Sequence, residues 1–213
     1  MKFKIITLST LALIVAGLNV SNAQQDTLKN VDLLGELMQD DKPAALLPEH
    51  MLITQRILWG ERGLMRNFSR FELTPEKRQV ELNLRRASLK AHQAIGLLTL
   101  GGMVAQGIVG AKLYNGDYKL KDTHEALAVA VNTGYFTTAG LSLFAPPKAV
   151  DERRGFSSIK AHRWLAMLHM SGMILTNVLA DGLHGDPRLR SLHRAAAYTA
   201  FGAYAASIIV IKF

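Results

Sequence analysis

Residues 90–111 read KAHQAIGLLTLGGMVAQGIVGA, and no charged side chain follows Lys90 in this stretch. A helix needs about 20 apolar residues to cross the hydrocarbon core of a membrane, and it satisfies its own backbone hydrogen bonds there. The stretch therefore predicts a membrane-spanning helix over about His92 to Ala111.

Three further apolar blocks predict three more spans, at about 124–145, 162–180 and 187–211. Turn residues separate the blocks: Asn115-Gly116, Pro146-Pro147 and Asp186-Pro187. Short loops make neighbouring helices antiparallel. We therefore expect an all-α fold in which residues 88–213 form an up-down, integral membrane four-helix bundle.

The first residues have the parts of a secretory signal peptide, which we expect to span residues 1–23. Lys2 and Lys4 precede an apolar run from Ile5 to Val20, and Ser21-Asn22-Ala23 supplies small residues for cleavage after Ala23. The alternative is an uncleaved anchor. Either way the following residues begin outside the cytoplasm, which predicts a bacterial inner-membrane protein with a periplasmic amino-terminal segment and cytoplasmic loops at 112–123 and 182–192.

Residues 24–87 are expected to form a short, helical extracytoplasmic segment. Apolar residues from Leu52 to Met65 recur at helical spacing, which indicates an amphipathic helix lying on the membrane or over the ends of the bundle helices. Thr74-Pro75 is a helix-start signal, and the polar helix that it opens is expected to run into the first span.

Composition limits the chemistry. The chain has no cysteine, which excludes disulfides, iron–sulfur clusters, thiol nucleophiles and covalent c-type haem. Redox chemistry would then depend on histidine. The formal net charge is +8, and removal of Lys2 and Lys4 with the signal leaves +6. Basic residues occur in every loop without a basic aromatic stripe, which indicates contact with the lipid bilayer surface and not with nucleic acid.

An internal repeat relates the two halves of the predicted bundle. Residues 90–103, KAHQAIGLLTLGGM, match residues 160–173, KAHRWLAMLHMSGM, at an offset of 70. The second span matches the fourth at an offset of 69, where His124 aligns with His193 and Tyr135 with Tyr204. The chain is therefore interpreted as a doubled two-helix hairpin with one histidine near the start of every helix.

The four repeated histidines are expected to meet in pairs. Because alternate helices point the same way, His92 and His162 share one depth (the 92/162 pair), and His124 and His193 share the other (the 124/193 pair). Two imidazoles facing each other across a bundle supply both axial ligands of a six-coordinate b-type haem. The sequence therefore predicts two non-covalent b-type haems, near opposite membrane faces, with irons about 18–20 Å apart along the membrane normal.

In this arrangement residues 88–211 resemble the cytochrome b561 superfamily, whose four-helix core holds two haems on four histidines. The matching residues are Lys90-Ala91-His92-Gln93, His124, Lys160-Ala161-His162 and His193. The resemblance implies that the first and third helices share one haem and that the second and fourth share the other. It also implies a b561-type transmembrane oxidoreductase, although no ascorbate-binding motif identifies the donor.

Other residues have two interpretations each. Lys90 and Lys160 either hold haem propionates or extend to the lipid headgroups. The glycines of the spans either leave room for a porphyrin or allow ordinary close helix packing. His169, seven residues after His162, is interpreted as a buried hydrogen-bonding residue, with haem ligation as the alternative.

Three functions are consistent with the sequence. The first is transmembrane electron transfer between an unidentified donor and an unidentified acceptor. The second is a haem-free membrane scaffold or assembly protein whose histidines are structural or bind a metal. The third is a haem-bearing membrane anchor of a separate oxidoreductase partner. The sequence leaves open whether the chain forms a homo-oligomer.

Overall fold

The protein is all-helical in a computed structural model that describes residues 45–149, 157–181 and 186–212. The predicted signal peptide lies outside these residues. From Leu46 onward the chain belongs to one compact unit. The described residues form five α-helices and no strand: α1 (Ile53–Trp59), α2 (Pro75–Tyr114), α3 (Lys121–Leu143), α4 (Ser158–Asp181) and α5 (Pro187–Lys212). Short 3₁₀ turns lie at Leu64–Asn67, Ser69–Phe71 and Tyr118–Leu120.

Helix α2 joins the predicted polar helix and the predicted first span in one helix of 40 residues, as expected. Thr74 caps its start, because the Thr74 hydroxyl accepts a hydrogen bond from the Lys77 amide at 3.3 Å and Pro75 occupies the first turn. The helix ends at Tyr114 with Asn115 as its carboxyl-terminal cap, and Gly116 adopts a φ of 101°, which favours glycine. The expected domain boundary at residue 88 falls inside this helix.

The four long helices pack as two hairpins. Helix α2 packs along α3, and α4 packs along α5, whereas contacts between the two hairpins are sparser and lie mainly between α2 and α5. The shared core is a cluster of five buried side chains from all four helices: Met103, Val131, Tyr135, Met173 and Tyr204. The two predicted repeats are therefore two hairpins that share one core.

Several glycines allow close helix contact. A Cβ atom at Gly172 would lie 3.1 Å from the Ala200 Cβ and 3.2 Å from its Cα. Added Cβ atoms at Gly96 and Gly102 would be similarly tight, whereas Gly101 and Gly107 face open space. The helix-packing interpretation therefore holds for the first three of these glycines.

Helix α1 lies over the carboxyl-terminal end of α3, which is one of the two placements expected. Thr54 donates to the Leu143 carbonyl at 2.6 Å, Trp59 to Phe144 at 2.9 Å and Gln55 to Ala145 at 3.2 Å. These bonds satisfy carbonyls that a helix end leaves unpaired. The prediction that the amphipathic helix extends to Met65 is wrong, because the chain is extended at Gly60 and the helix stops at Trp59.

Of the described helices, α2 and α5 are long and apolar enough to span a membrane. Helices α3 and α4, of 23 and 24 residues, are long enough, and they carry polar residues at mid-helix, including Asn132 and Asn177. These two side chains pair with each other between the hairpins, with N···O distances of 2.9 Å in both directions.

Candidate histidine site

The 92/162 pair is brought together across the two hairpins. His92 lies on α2 and His162 on α4, and both imidazoles are half-buried. Their ring centroids are 6.3 Å apart, and the ring planes are nearly perpendicular at 78°. The predicted meeting of these two residues is present in the structure.

Each ring of this pair is fixed by its own hairpin. Nδ1 of His92 donates to the Thr138 carbonyl at 2.8 Å, and Nδ1 of His162 donates to the Ser207 carbonyl at 2.8 Å. Because a carbonyl only accepts, Nδ1 carries the proton and the neutral ring keeps its lone pair on Nε2. A hydrogen-bond acceptor on the nitrogen that does not bind the metal is typical of metal-binding histidines.

The separation of the 92/162 rings fits a shared metal. A metal–imidazole bond is about 2 Å long and the ring centroid lies roughly 1 Å behind the nitrogen, so two imidazoles on opposite sides of one metal have centroids about 6 Å apart. The observed centroid distance of 6.3 Å matches this spacing. Among the described residues, no group of three or more His, Cys, Asp or Glu side chains converges. A six-coordinate haem iron takes two axial ligands from a protein, which is the number of imidazoles that meet here.

The 124/193 pair lies at a second level. Nδ1 of His193 donates to the Thr176 carbonyl at 2.9 Å. Thr176 is 14 residues after His162 on α4, which places this level about 21 Å along the helix. His124 lies on α3, in the other hairpin.

His124 is held differently from the other three histidines. Its Nε2 lies 3.4 Å from Nε2 of Gln106, and its Nδ1 is buried without a hydrogen-bond partner among the described residues. The ring packs on α2 at Gly110, where an added Cβ would lie 3.0 Å from the His124 Cε1. Unlike the other three rings, His124 therefore has no carbonyl acceptor for its Nδ1 among the described residues.

A buried aromatic cluster lies between the two levels. His169 is 8% exposed, and its Nδ1 is 2.6 Å from the Tyr135 hydroxyl. The Tyr204 ring centroid lies 5.0 Å from that of His169, and the Tyr204 hydroxyl donates to the Gly96 carbonyl at 3.0 Å. The placement of His169 agrees with its interpretation as a buried hydrogen-bonding residue. Its position seven residues from both His162 and Thr176 puts the cluster midway between the two pairs.

The two lysines of the predicted site are not equally placed. Lys90 is exposed and Lys160 is half-buried, each two residues before a histidine of the 92/162 pair. Both therefore lie at the end of the helices where the 92/162 pair lies. Their two interpretations, binding of a propionate or extension to headgroups, stay open.

Sequence reasoning missed the groups that orient the histidines, which are Thr138, Ser207, Thr176 and Gln106. Thr138 and Ser207 are related by the offset of 69, and Gln106 and Thr176 by the offset of 70. Because three of these groups are backbone carbonyls, no side-chain signal identifies them, and the repeat shows only that the positions are equivalent.

Comparison of the chain with protein-family models, curated proteins and solved structures found no match. The fold and site define a helical protein in which His92 and His162 meet between two hairpins and in which His124 and His193 lie at a second level. The resemblance to the cytochrome b561 superfamily stays a prediction from the residues of this chain.

Proposed function

We propose that this protein transfers electrons across a membrane through two b-type haems, one on the 92/162 pair and one on the 124/193 pair, as the cytochrome b561 superfamily that it resembles does. The observation that carries the proposal is the geometry of His92 and His162. Their rings belong to different hairpins, lie 6.3 Å apart and each have Nδ1 bound to a backbone carbonyl.

The surface of the long helices supports placement in a bilayer. Only 17% of the apolar window of α2 and 28% of that of α5 are buried inside the protein, unlike the core helix of a soluble protein. Large apolar side chains on all four long helices are more than half exposed: Leu98, Ile108, Val129, Trp164, Val178 and Ile209. We infer an integral four-helix bundle in a bacterial inner membrane, with a cleaved signal peptide and with α1 on the periplasmic side.

The residues of the chain fit the requirements of a haem. When bound, a haem supplies an iron that exchanges one electron between its ferric and ferrous states. The protein's part is to hold neutral imidazoles with fixed tautomers, which the carbonyls of Thr138, Ser207 and Thr176 do. The sparse contact between the hairpins suits a flat ligand placed between them. Lys90 and Lys160 supply positive charge beside the 92/162 pair for propionate groups.

Haem stoichiometry tests the proposal. The full chain is expressed in haem-sufficient cells and purified in detergent, and haem per chain is measured with reduced-minus-oxidised spectra. We expect b-type bands and close to two haems per chain. His92→Ala and His162→Ala should each remove the same haem, and His124→Ala and His193→Ala should each remove the other. His50→Ala, a histidine outside both pairs, is the matched control and should keep both haems.

Other results would select another function. A folded, colourless preparation would contradict the proposal and favour a haem-free scaffold. Loss of different haems in His92→Ala and His162→Ala would contradict the pairing. Two haems together with stable co-purification of a dehydrogenase would favour the membrane-anchor function, with that partner as donor or acceptor.

A further inference from the structure

A guanidinium contacts two aromatic rings at the carboxyl-terminal end of α2. Cζ of Arg194 on α5 lies 4.5 Å from the ring centroid of Tyr114, the last residue of α2, and 5.4 Å from that of Tyr198 on α5. Both distances are in the range of a cation–π contact. Because α2 and α5 belong to different hairpins, Arg194 bridges them where their packing is sparse.

The two rings leave the hydrogen-bonding capacity of Arg194 unused. An aromatic ring attracts the charge of a guanidinium but supplies no oxygen acceptor for its N–H groups. No ion pair among the described residues involves Arg194. A guanidinium carries five N–H donors in a planar fork that matches two oxygens of a phosphate or a carboxylate. Arg194 is therefore suited to bind an oxyanion.

A second arginine lies on the same face of α5. Arg190 precedes Arg194 by four residues and Tyr198 follows it by four, so the three side chains form one row along the helix, and all three are exposed. Like charges at this spacing repel each other. The ion pairs of the described residues do not include Arg190 either. An anion held by both arginines removes this repulsion.

The exposed surface beside Arg194 favours a lipid headgroup as the source of this anion. Leu98, Val104 and Ile108 are exposed apolar side chains on α2, and Tyr114 is exposed just before the polar turn Asn115-Gly116. Tyrosine is enriched where the hydrocarbon of a bilayer meets the headgroups, and basic pockets between membrane helices bind anionic headgroups. In the membrane placement proposed above, Arg194 is therefore at the level of the lipid phosphates.

We propose that Arg194 and Arg190, with the rings of Tyr114 and Tyr198, bind the phosphate of an anionic phospholipid and that this lipid joins the two hairpins. The guanidinium of Arg194 donates to the phosphate oxygens, the rings hold the guanidinium in place, and Arg190 adds positive charge. The inference rests on the membrane placement in the proposed function but not on the haems. Because Arg194 follows His193, a haem propionate is the other oxyanion that the experiment has to separate.

Native mass spectrometry of the full chain in detergent, with equal amounts of phosphatidylglycerol and phosphatidylcholine, tests this site. We expect the wild type to bind phosphatidylglycerol preferentially, and Arg194→Gln should lower the preference about fivefold, as for the loss of one basic residue at an anionic surface. Arg194→Lys keeps the charge without the planar fork and should restore only part of the preference. Arg188→Gln is the matched control. It removes the same charge from another face of α5 and should keep the preference.

Thermal unfolding measures whether the lipid joins the hairpins. A ligand that binds only the folded state stabilises it, so phosphatidylglycerol should raise the unfolding temperature of the wild type more than phosphatidylcholine does. Arg194→Gln should remove this difference. Tyr114→Leu should reduce it, whereas Tyr114→Phe, which keeps a ring beside the guanidinium, should not. Circular dichroism checks the helix content of each variant, and if Arg194→Gln does not fold, Arg194→Lys and the two Tyr114 variants decide the question.

The outcomes separate this inference from the proposed function. A wild type without preference for phosphatidylglycerol would overturn the lipid site, as would equal losses in Arg194→Gln and Arg188→Gln, which would indicate a general effect of charge. Loss of haem in Arg194→Gln, together with no lipid preference in the wild type, would assign the guanidinium to a propionate and also overturn the lipid site. A haem-free wild type that keeps the preference would support the lipid site and contradict the proposed electron transfer. A wild type that is recovered outside the membrane fraction would overturn both.

Discussion

At the scale of single residues, Glu81 is the charged side chain with the largest expected effect on stability among the residues that the structure describes. It is 0% exposed and forms ion pairs with Arg66 and Arg78. Arg78 also donates to the Pro147 carbonyl at 2.7 Å, so the group joins α2 to the segment after α3. Glu81→Ala leaves two guanidinium groups without their buried partner and should cost about 3–5 kcal/mol of stability.

Thermal unfolding in detergent, followed by circular dichroism, measures this loss for Glu81→Ala against a matched control. Glu72 forms an ion pair with Lys77 at the surface, with side chains 53% and 34% exposed. Glu72→Ala should therefore cost about 0–1 kcal/mol. Equal, small losses in both variants would show that the buried ion pairs contribute little.

The residues that sequence reasoning identified are those with a local or repeated signal. The four histidines were found through the repeat, and Thr74 through the chemistry of a helix start. The Arg66–Glu81–Arg78 group could not be predicted, because only the i,i+3 spacing of Arg78 and Glu81 is local. The carbonyl acceptor of Arg78 lies 69 residues away, and only the fold brings it near.

At the scale of helices, Gly172 determines how closely α4 approaches α5. An added Cβ would lie 3.2 Å from both the Cα and N of Ala200, which are backbone atoms and cannot turn aside. Gly172→Ala should therefore separate the helices and cost about 1–3 kcal/mol of stability. If the proposed function holds, it should also lower haem content, because the His162 and His193 acceptors belong to this hairpin.

Gly202→Ala on α5 is the control for the Gly172 prediction. No atom lies within 4 Å of a Cβ added at Gly202. Because alanine favours a helix over glycine by about 0.8–1.0 kcal/mol, this variant should be neutral or slightly stabilising. Thermal unfolding and haem content of both variants are compared, and equal behaviour would mean that the α4–α5 contact is adaptable.

Helix boundaries could be predicted where short-range chemistry determines them. Thr74-Pro75 and Asn115-Gly116 mark both ends of α2, and the Arg188 amide donates to the Asp186 side chain at 2.8 Å at the start of α5. The length of α1 could not be predicted in this way. Its apolar periodicity continues past Trp59, although the helix stops there. The structure around α1 depends on contacts with distant residues, because Thr54, Gln55 and Trp59 donate to carbonyls at the end of α3 and just after it.

At the scale of the whole molecule, the repeat predicted two hairpins but not what joins them. Polar bonds supplement the sparse packing between the hairpins: Tyr135 with His169, Tyr204 with Gly96, and Asn132 with Asn177. Asn132 and Asn177 are not equivalent in the repeat, since Phe201 and Gly107 occupy the matching positions. Their partnership arises only when the hairpins meet.

The Asn132–Asn177 bridge gives a test of how the hairpins assemble. Each side chain donates to the other at 2.9 Å, and Asn177 also donates to the Met173 carbonyl at 2.9 Å. Asn132→Val or Asn177→Val alone leaves an amide without its partner and should cost about 1–3 kcal/mol. The double variant removes both amides, so its loss should be smaller than the sum of the single losses.

Polar pairs inside membranes give coupling energies of about 0.6 kcal/mol on average and at most about 1.7 kcal/mol. A double-mutant cycle of thermal stability in detergent measures this coupling, and strictly additive losses would mean that the bridge does not hold the hairpins together.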